Sequence, residues 1–407
     1  MPVAPPSTPP LAAGALAQLE PPAEGTSPRF TLDGSDDLEQ HLAETCQSIL
    51  RGVRGLIPGR RLEALLLGGG YGRGEGGVLR TARGDRPYND LEFYVGLRGS
   101  DWLNQRRYHA PLHALGEILT PAAGVEVEFK VCSLARLRRR SVTMFSYDLV
   151  SGHRWLSGDE ALLAGCDPHR LATHLPLAEA TRLLMNRCSG LLFAQERLGR
   201  RRFNAASADF IARNQAKARL AFGDAVLTRY GQYHWSVRER HRRLQALAPA
   251  EPLPWLDAVR RLHEEGVAFK LHPHQSTAPR ATLQLEQETL LPLALRLWLW
   301  LENHRLEARF DTARHYALDP RDKCPETRPA RNRLVNALAF GLPAAFGLEA
   351  ARYPRQRLLN ALTLLLWEPA ALREPALLRR LQLELRTNAS GFAELVQAYQ
   401  RLWSRFN

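Results

Sequence analysis

A cluster of glycines constrains the fold of this chain more than any other feature of its sequence. Seven of the ten residues at positions 68–77 are glycine, and they follow directly on the apolar run RLEALLL. Because glycine loses more backbone entropy on folding than any other residue, such a cluster indicates a specific structural need. Three needs are available: a flexible linker, a dinucleotide-binding turn, or a loop whose backbone approaches a phosphate.

The first two interpretations explain the sequence poorly. The cluster lies between two strand-like segments and contains Tyr and Arg, whereas flexible linkers carry mostly Gly, Ser and Pro. Gly72, Gly74 and Gly77 fit the GxGxxG pattern, and Asp90 and Glu92 follow near the spacing of a ribose-binding acid. That pattern must open a helix, however, and the next residues, VLRTARGDRPYND, are polar and broken by glycine and proline.

The third interpretation accounts for the two acids. Asp90 and Glu92 are two residues apart on the alternating segment DLEFYVGL, which predicts a strand with both carboxylates on one face. Paired carboxylates raise each other's pKa unless a cation lies between them, and Mg²⁺ prefers such oxygen ligands. Arg73, within the glycine-rich loop, would neutralise a phosphate. The pattern indicates a triphosphate and divalent metal site.

A third predicted strand offers more carboxylates. Glu126 and Glu128 alternate in GVEVEFKVCSL, and pairing of this strand beside the second would bring three acids next to the loop. The backbone amides of such loops bind anions. Alternating acids are also typical of a solvated strand face, and this interpretation stays open for Glu126 and Glu128.

The order of predicted elements divides the chain into two domains. A helix over 36–53 and the order strand, glycine loop, strand, helix, strand predict an α+β domain at 31–165, with a small mixed sheet and flanking helices. Beyond about residue 175 apolar residues recur at helical spacing, which predicts an all-α domain at 170–407. Residues 1–30 are rich in Pro and Ala, which predicts a disordered tail.

Two of these segments together resemble a known signature. GGYGRGE at 69–75 and YNDLEFYV at 88–95 look like the motifs of the DNA polymerase beta-like nucleotidyltransferase superfamily, including its minimal and aminoglycoside-modifying members. YDLVSGHRWLSGD at 147–159 is similar to a segment that often closes such domains. The resemblance covers about residues 60–160, and the long spacing between the first two motifs predicts an inserted loop around 80–86.

The resemblance implies an activity and assigns residues to it. It implies metal-dependent transfer of a nucleoside monophosphate, with AMP favoured, from an NTP such as ATP to a hydroxyl acceptor, with release of pyrophosphate. One or two Mg²⁺ ions would be bound by the catalytic acids, and loop residues would bind the nucleotide. The acids are Asp90, Glu92 and Glu126, with Glu128 as the alternative third acid, and the loop residues are Gly69, Gly70, Arg73 and Gly74.

The helical domain is expected to shape the acceptor side. Asn214, Lys217 and Asp224 are spaced so that one helix face can carry them, either lining a pocket or forming a solvated, ion-paired face. Arg229 and His234 fit Arg-x4-His, which resembles the RNase motif of HEPN-type helical domains. The alternative function is therefore a non-catalytic or toxin–antitoxin-type module that interacts with nucleotide or RNA.

Composition limits the partners and the compartment. The net charge is +13, but only four of the 55 basic residues are lysine, and the arginines are scattered, so a small-molecule acceptor is favoured over protein or RNA. Five dispersed cysteines without CxxC spacing argue against disulfides or zinc and favour a reducing compartment. The proline-broken N-terminus argues against a signal peptide, and LLPLALRLWLWL is too short to span a bilayer, so we expect a cytoplasmic protein without a membrane partner.

Overall fold

The computed structural model describes residues 29–347 and 349–407, and these residues form two compact units. The expected disordered tail therefore lies, except for its last two residues, outside the described residues. Among the described residues, the first unit comprises 29–175, Tyr230–Leu253 and His263–His274, and the second comprises Pro176–Arg229, Pro254–Leu262 and the described part of 275–407. The sequence-based domains differ from these units, because two segments beyond residue 170 belong to the first unit.

The described residues form a mixed α+β fold, with a small sheet in the N-terminal region and helices after it. The strands are β1 (Leu62–Leu67), β2 (Val78–Thr81), β3 (Gly84–Pro87), β4 (Leu91–Leu97), β5 (Val127–Cys132) and β6 (Arg154–Ser157). The helices of the first 175 residues are α1 (Asp36–Leu56), α2 (Gly69–Gly72), α3 (Asp101–Ala123), α4 (Leu134–Leu137) and α5 (Met144–Ser151). The later helices are α6 (Leu177–Leu198), α7 (Ala205–Arg229), α8 (Val237–Ala246), α9 (Leu256–Leu271), α10 (Arg280–Arg305), α11 (Ala313–Leu318), α12 (Pro329–Phe340), α13 (Arg355–Trp367), α14 (Pro375–Leu385) and α15 (Phe392–Phe406).

The main sheet is mixed, as the sequence predicts. Its strand order is β5–β4–β1–β6, with β4 parallel to β5 and β1 antiparallel to both β4 and β6. The parallel pair is joined through α3, the kind of crossover that two parallel strands require. The predicted insertion around 80–86 is an ordered hairpin formed by β2 and β3.

The central strand β1 packs on both of its faces. Leu65 belongs to a core cluster with Leu42 of α1 and Leu112 of α3, while its neighbour Leu66 belongs to a second cluster with Val150 of α5. A central strand that packs on both faces needs a continuous apolar run rather than alternation. This explains why β1 reads as a run of leucines directly before the glycine-rich loop.

The described residues of the second unit form helices and their connections, without a strand. α6 packs against α7, α10 and α13. The interior of the second unit contains the buried carboxylate of Glu302. It accepts hydrogen bonds from Thr181 (2.6 Å), Tyr316 (2.7 Å) and Arg305 (2.6 and 2.7 Å). Within the described part of the chain, no helix combines the length and the apolar character that crossing a bilayer requires.

Candidate functional site

The glycine-rich segment forms a tight turn pressed against β1. After Leu67 the chain makes a single helical turn, α2, in which the Gly72 amide donates to the Gly68 carbonyl at 3.0 Å. A Cβ atom on Gly72 would lie 2.2 Å from the carbonyl oxygen of Leu67, and Gly69 has a φ of +62°. The turn is followed by the β2–β3 hairpin, so the GxGxxG pattern does not open the long helix of a dinucleotide-binding fold.

The end of the loop is fixed by a buried tyrosine. The hydroxyl of Tyr71 donates to the carbonyl of Gly77 at 2.8 Å and accepts from the amide of Tyr88 at 2.8 Å. Tyr71 is almost fully buried, and its ring fills the space that a side chain at Gly76 would need. The loop is therefore an ordered part of the core rather than a linker.

Glu75 attaches the same loop to a distant part of the first unit. Its carboxylate accepts hydrogen bonds from the Ser236 hydroxyl at 2.5 Å and from the Val237 amide at 2.8 Å, and Arg238 lies 3.5 Å away. Ser236 is the N-cap of α8, so a buried negative charge stabilises the positive end of that helix. Sequence reasoning includes Glu75 in the motif but assigns it no role.

Arg73 has a different environment from the one expected. Its guanidinium donates to the carboxylate of Asp148 on α5 at 3.1 Å, and its side chain is only 10% exposed. Asp148 also accepts from the Tyr233 hydroxyl at 3.3 Å, and the Arg73 side chain passes directly over Gly152. Its charge is therefore already compensated within the protein, and contact with a phosphate stays a prediction.

Three carboxylates meet beside the turn. Asp90 directly precedes β4, Glu92 lies within it, and Glu128 on β5 is the register partner of Glu92. One oxygen atom of each of these three side chains lies within 4.8 Å of the others. Leu91 and Phe93, the alternating residues, are fully buried, so the strand period directs the acids to the opposite face.

The third acid of this group is Glu128 rather than Glu126, the first choice from the sequence. The reason is the parallel register, which sets Glu128 opposite Glu92, whereas Glu126 precedes the strand. The Glu126 side chain is exposed, and its backbone carbonyl accepts the amide of Leu91 at 2.8 Å. Alternation predicted that Glu126 and Glu128 share a face, but it could not predict which of the two lies opposite Glu92.

A lysine lies among these acids. The ammonium group of Lys130 is 2.8 Å from Oε1 of Glu92 and 3.0 Å from Oε2 of Glu128. The side chain of Asp90 is exposed, yet partial loss of hydration and then the charge of Glu92 raise the pKa of its carboxyl, which Lys270 opposes. Sequence reasoning missed Lys130, although it continues the alternation of Glu126 and Glu128.

The remaining carboxylate oxygens fit a hard divalent cation. Lys130 pairs with one oxygen of each glutamate, and the second oxygen of Glu92 accepts a long 3.4 Å hydrogen bond from the Tyr94 hydroxyl. Lone pairs on these oxygens, together with the Asp90 carboxylate, are ligands of the kind that Mg²⁺ prefers. A Cβ on Gly69 would lie 3.2 Å from Oε2 of Glu92, so the turn lies directly beside the acids. The amides of Gly69 and Gly70 precede the first internal hydrogen bond of the turn, and such amides are suited to an anion.

The other predicted residues are divided between the two units. Asn214 and Lys217 lie on α7 in the second unit with partly or fully exposed side chains, whereas Asp224 on the same helix is buried. Arg229 ends α7 in the second unit, while His234 belongs to the first. The nitrogen Nδ1 of His234 accepts the Ser236 amide at 3.1 Å, an ordinary structural contact.

The arrangement joins an ordered turn, in which the amides of Gly69 and Gly70 precede the first internal hydrogen bond, to a group of three acids and a lysine. Such a site is suited to holding a divalent cation beside a phosphate group. No protein-family model matches this chain, and comparisons with curated proteins and with solved structures give no match either.

Proposed function

We propose that this protein is a metal-dependent nucleotidyltransferase that transfers a nucleoside monophosphate from an NTP to a hydroxyl group of an acceptor. The observation that carries this proposal is the approach of Asp90, Glu92 and Glu128 to within 4.8 Å of one another beside the turn that starts at Gly69. Neither a solvated strand face nor a structural turn requires that combination.

The resemblance to the DNA polymerase beta-like superfamily supports the same proposal. That superfamily combines a Gly-Gly turn after a strand, an acid-apolar-acid strand and a third acid on a later strand. Here the corresponding residues follow β1, enter β4 and lie on β5, which is paired with β4. The proposed fold of the first unit is the nucleotidyltransferase fold, and the proposed compartment is the cytoplasm, in agreement with five free thiols.

The acids, the loop amides and the lysine of this site have different proposed roles. Asp90, Glu92 and Glu128 would hold Mg²⁺, whose chemistry is to neutralise phosphate charge and lower the pKa of a bound hydroxyl. The amides of Gly69 and Gly70 donate to phosphate oxygens. Lys130 holds Glu92 and Glu128 in one orientation, which limits the cost of ordering them.

The transfer step balances without a further reactant. The acceptor hydroxyl oxygen forms a bond to the α-phosphorus, the bond from that phosphorus to the β-phosphate oxygen breaks, and pyrophosphate leaves. The hydroxyl proton passes to a carboxylate, and of the two glutamates Glu128 is the more exposed, at 45% against 27% for Glu92. ATP is the proposed donor, and a small hydroxylated molecule is the proposed acceptor.

Calorimetry tests the site before the acceptor is known. ATP is titrated with and without Mg²⁺ into the wild type, Asp90→Asn and Asp37→Asn, a matched change at an exposed acid of α1. We expect Mg²⁺-dependent binding by the wild type and by Asp37→Asn, and its loss in Asp90→Asn. Absence of nucleotide binding by the folded wild type, or equal binding by Asp90→Asn, refutes the proposed site.

A labelling experiment then separates catalysis from binding alone. ATP labelled at the α-phosphate is incubated with the protein and with cell extract divided by size. We expect label in the small-molecule fraction, together with pyrophosphate, for the wild type but not for Asp90→Asn. Binding without transfer to any fraction would instead favour the non-catalytic module.

A further inference from the structure

The second unit contains a cavity that the proposed reaction does not use. Its volume is about 500 Å³, and it lies between α6, α7 and α15. All of its lining residues belong to the second unit. This volume falls within the range of pockets that hold small organic ligands.

The lining of this cavity is strongly basic. Arg187, Arg197, Arg200 and Lys217 contribute to it, whereas Glu196 is its only carboxylate side chain among the described residues and pairs with Arg200 at 2.8 Å. Burial, and then the charge of Arg200, lower the pKa of Arg197, so like charges are crowded on this wall. A bound anion would relieve that repulsion, and guanidinium groups match phosphate oxygens in geometry.

The lining of this cavity also contains aromatic side chains. Phe193 and Trp403 meet edge to face with ring centroids 5.8 Å apart, and the guanidinium of Arg197 lies 3.5 Å from the centroid of Phe210. Flat rings and a guanidinium plane provide surfaces on which a heterocycle stacks.

Two buried polar atoms at this cavity have unmet hydrogen-bonding capacity. The indole Nε1 of Trp403 and the Oδ1 of Asn186 are buried and have no hydrogen-bond partner among the described residues. Buried polar atoms are normally paired, and each unpaired atom of this kind requires an explanation. Both residues line the cavity, and a ligand that carries an anionic oxygen and an N–H or O–H group would offer a partner to each of these atoms.

We propose that this cavity binds a phosphate ester of mononucleotide size, with its phosphate on the basic wall and its ring on the aromatic wall. All the residues involved belong to the second unit, so this binding does not require the first unit to be a nucleotidyltransferase. It also gives a role to Asn214 and Lys217, which line the cavity from α7. Asp224, the third residue of the predicted helix face, does not line it.

The test is calorimetric titration in Mg²⁺-free buffer with AMP, inorganic phosphate and adenosine as probes. We expect AMP to bind more tightly than either of its parts, because it engages both walls. Lys217→Gln and Arg187→Gln should each weaken AMP binding by about tenfold, as expected for loss of a charge-assisted contact. Trp403→Phe, which keeps the apolar ring but removes the N–H donor, should weaken it about threefold.

Two controls make the result specific to this cavity. Arg201→Gln removes the same charge from an exposed residue that does not line it and should leave AMP binding unchanged. Asp90→Asn should also bind AMP normally, which separates this site from the proposed catalytic one. The inference is overturned if AMP does not bind, or if the cavity variants bind it as tightly as Arg201→Gln does.

Discussion

The carboxylate of Glu75 accepts a 2.5 Å hydrogen bond from the hydroxyl of Ser236, which lies 161 residues later in the chain. The same carboxylate accepts the Val237 amide, so the glycine-rich loop caps the N-terminus of α8. Since Glu75 is only 3% exposed, its charge depends on these donors and on nearby Arg238. The contact joins the segment 230–253 to the first unit.

Replacement of Glu75 should therefore destabilise the first unit. Glu75→Ala leaves the Ser236 hydroxyl and the Val237 amide buried without their acceptor, which we expect to cost about 3 kcal/mol. Thermal unfolding followed by circular dichroism measures this as a lower Tm. Glu117→Ala, at an exposed position of α3, is the control and should change stability by less than about 0.5 kcal/mol. Equal Tm values for the two variants would contradict a bracing role for Glu75.

The glycines of the loop should differ sharply from an ordinary helical glycine. A methyl group at Gly72 would lie 2.2 Å from the Leu67 carbonyl oxygen, so Gly72→Ala forces the backbone to shift and should cost about 3 kcal/mol. Gly55 on α1 has open space around its Cβ position, and Gly55→Ala should stabilise by about 0.5–1 kcal/mol. Denaturant unfolding of both variants measures this contrast. If Gly72→Ala unfolds with the same free energy as the wild type, Gly72 does not pack against the Leu67 carbonyl as described.

Local patterns predicted the elements that carry the site. Alternation in DLEFYVGL and VEVEF identified β4 and β5 as well as the face of the acids, because a strand's period is fixed by its backbone. The cluster of glycines at 68–77 predicted the turn that follows β1. Helical spacing of apolar residues beyond about residue 175 predicted helices there, and α6 occupies Leu177–Leu198.

What the sequence could not predict depends on pairing between distant segments. The choice of Glu128 over Glu126 follows from the register of β5 on β4, which local alternation leaves undetermined. The pairing of Arg73 with Asp148, and of Glu75 with Ser236, joins residues 75 and 161 positions apart. Local sequence periodicity does not predict contacts between distant segments. For the same reason the first unit includes segments beyond residue 170 that the sequence did not assign to it.

The identity of the third acid can be decided with two matched variants. Glu128→Gln removes a carboxylate from the three-acid group, whereas Glu126→Gln makes the same change on an exposed side chain two residues earlier. We expect Glu128→Gln to weaken Mg²⁺-dependent ATP binding by about tenfold and Glu126→Gln to leave it unchanged. Calorimetry at several Mg²⁺ concentrations measures the difference. The reverse order would restore Glu126 as the third acid.

Acid should destabilise the first unit through a partly buried histidine, His234, beside Ser236. Burial, and then the charge of Arg243, lower the pKa of His234 to about 4. Because an unfolded histidine titrates near about 6.5, the unfolded chain binds more protons than the folded one between those values. Stability is therefore fully present above about pH 6.5 and falls as the pH decreases towards 4.

His234→Gln should make this pH dependence shallower. The variant lowers the number of protons taken up on unfolding by at most one. This corresponds to a change of at most about 1.4 kcal/mol per pH unit in the slope of the free energy of unfolding against pH. Burial likewise lowers the pKa of His241 to about 4, so part of the dependence remains. The measurement is Tm at a series of pH values from 7 to 4, with His113→Gln, at an exposed position of α3, as the control. Loss of an imidazole that is neutral in the folded state must change the number of protons taken up on unfolding. If both variants keep the wild-type slope of Tm against pH, His234 is therefore not held neutral in the folded protein.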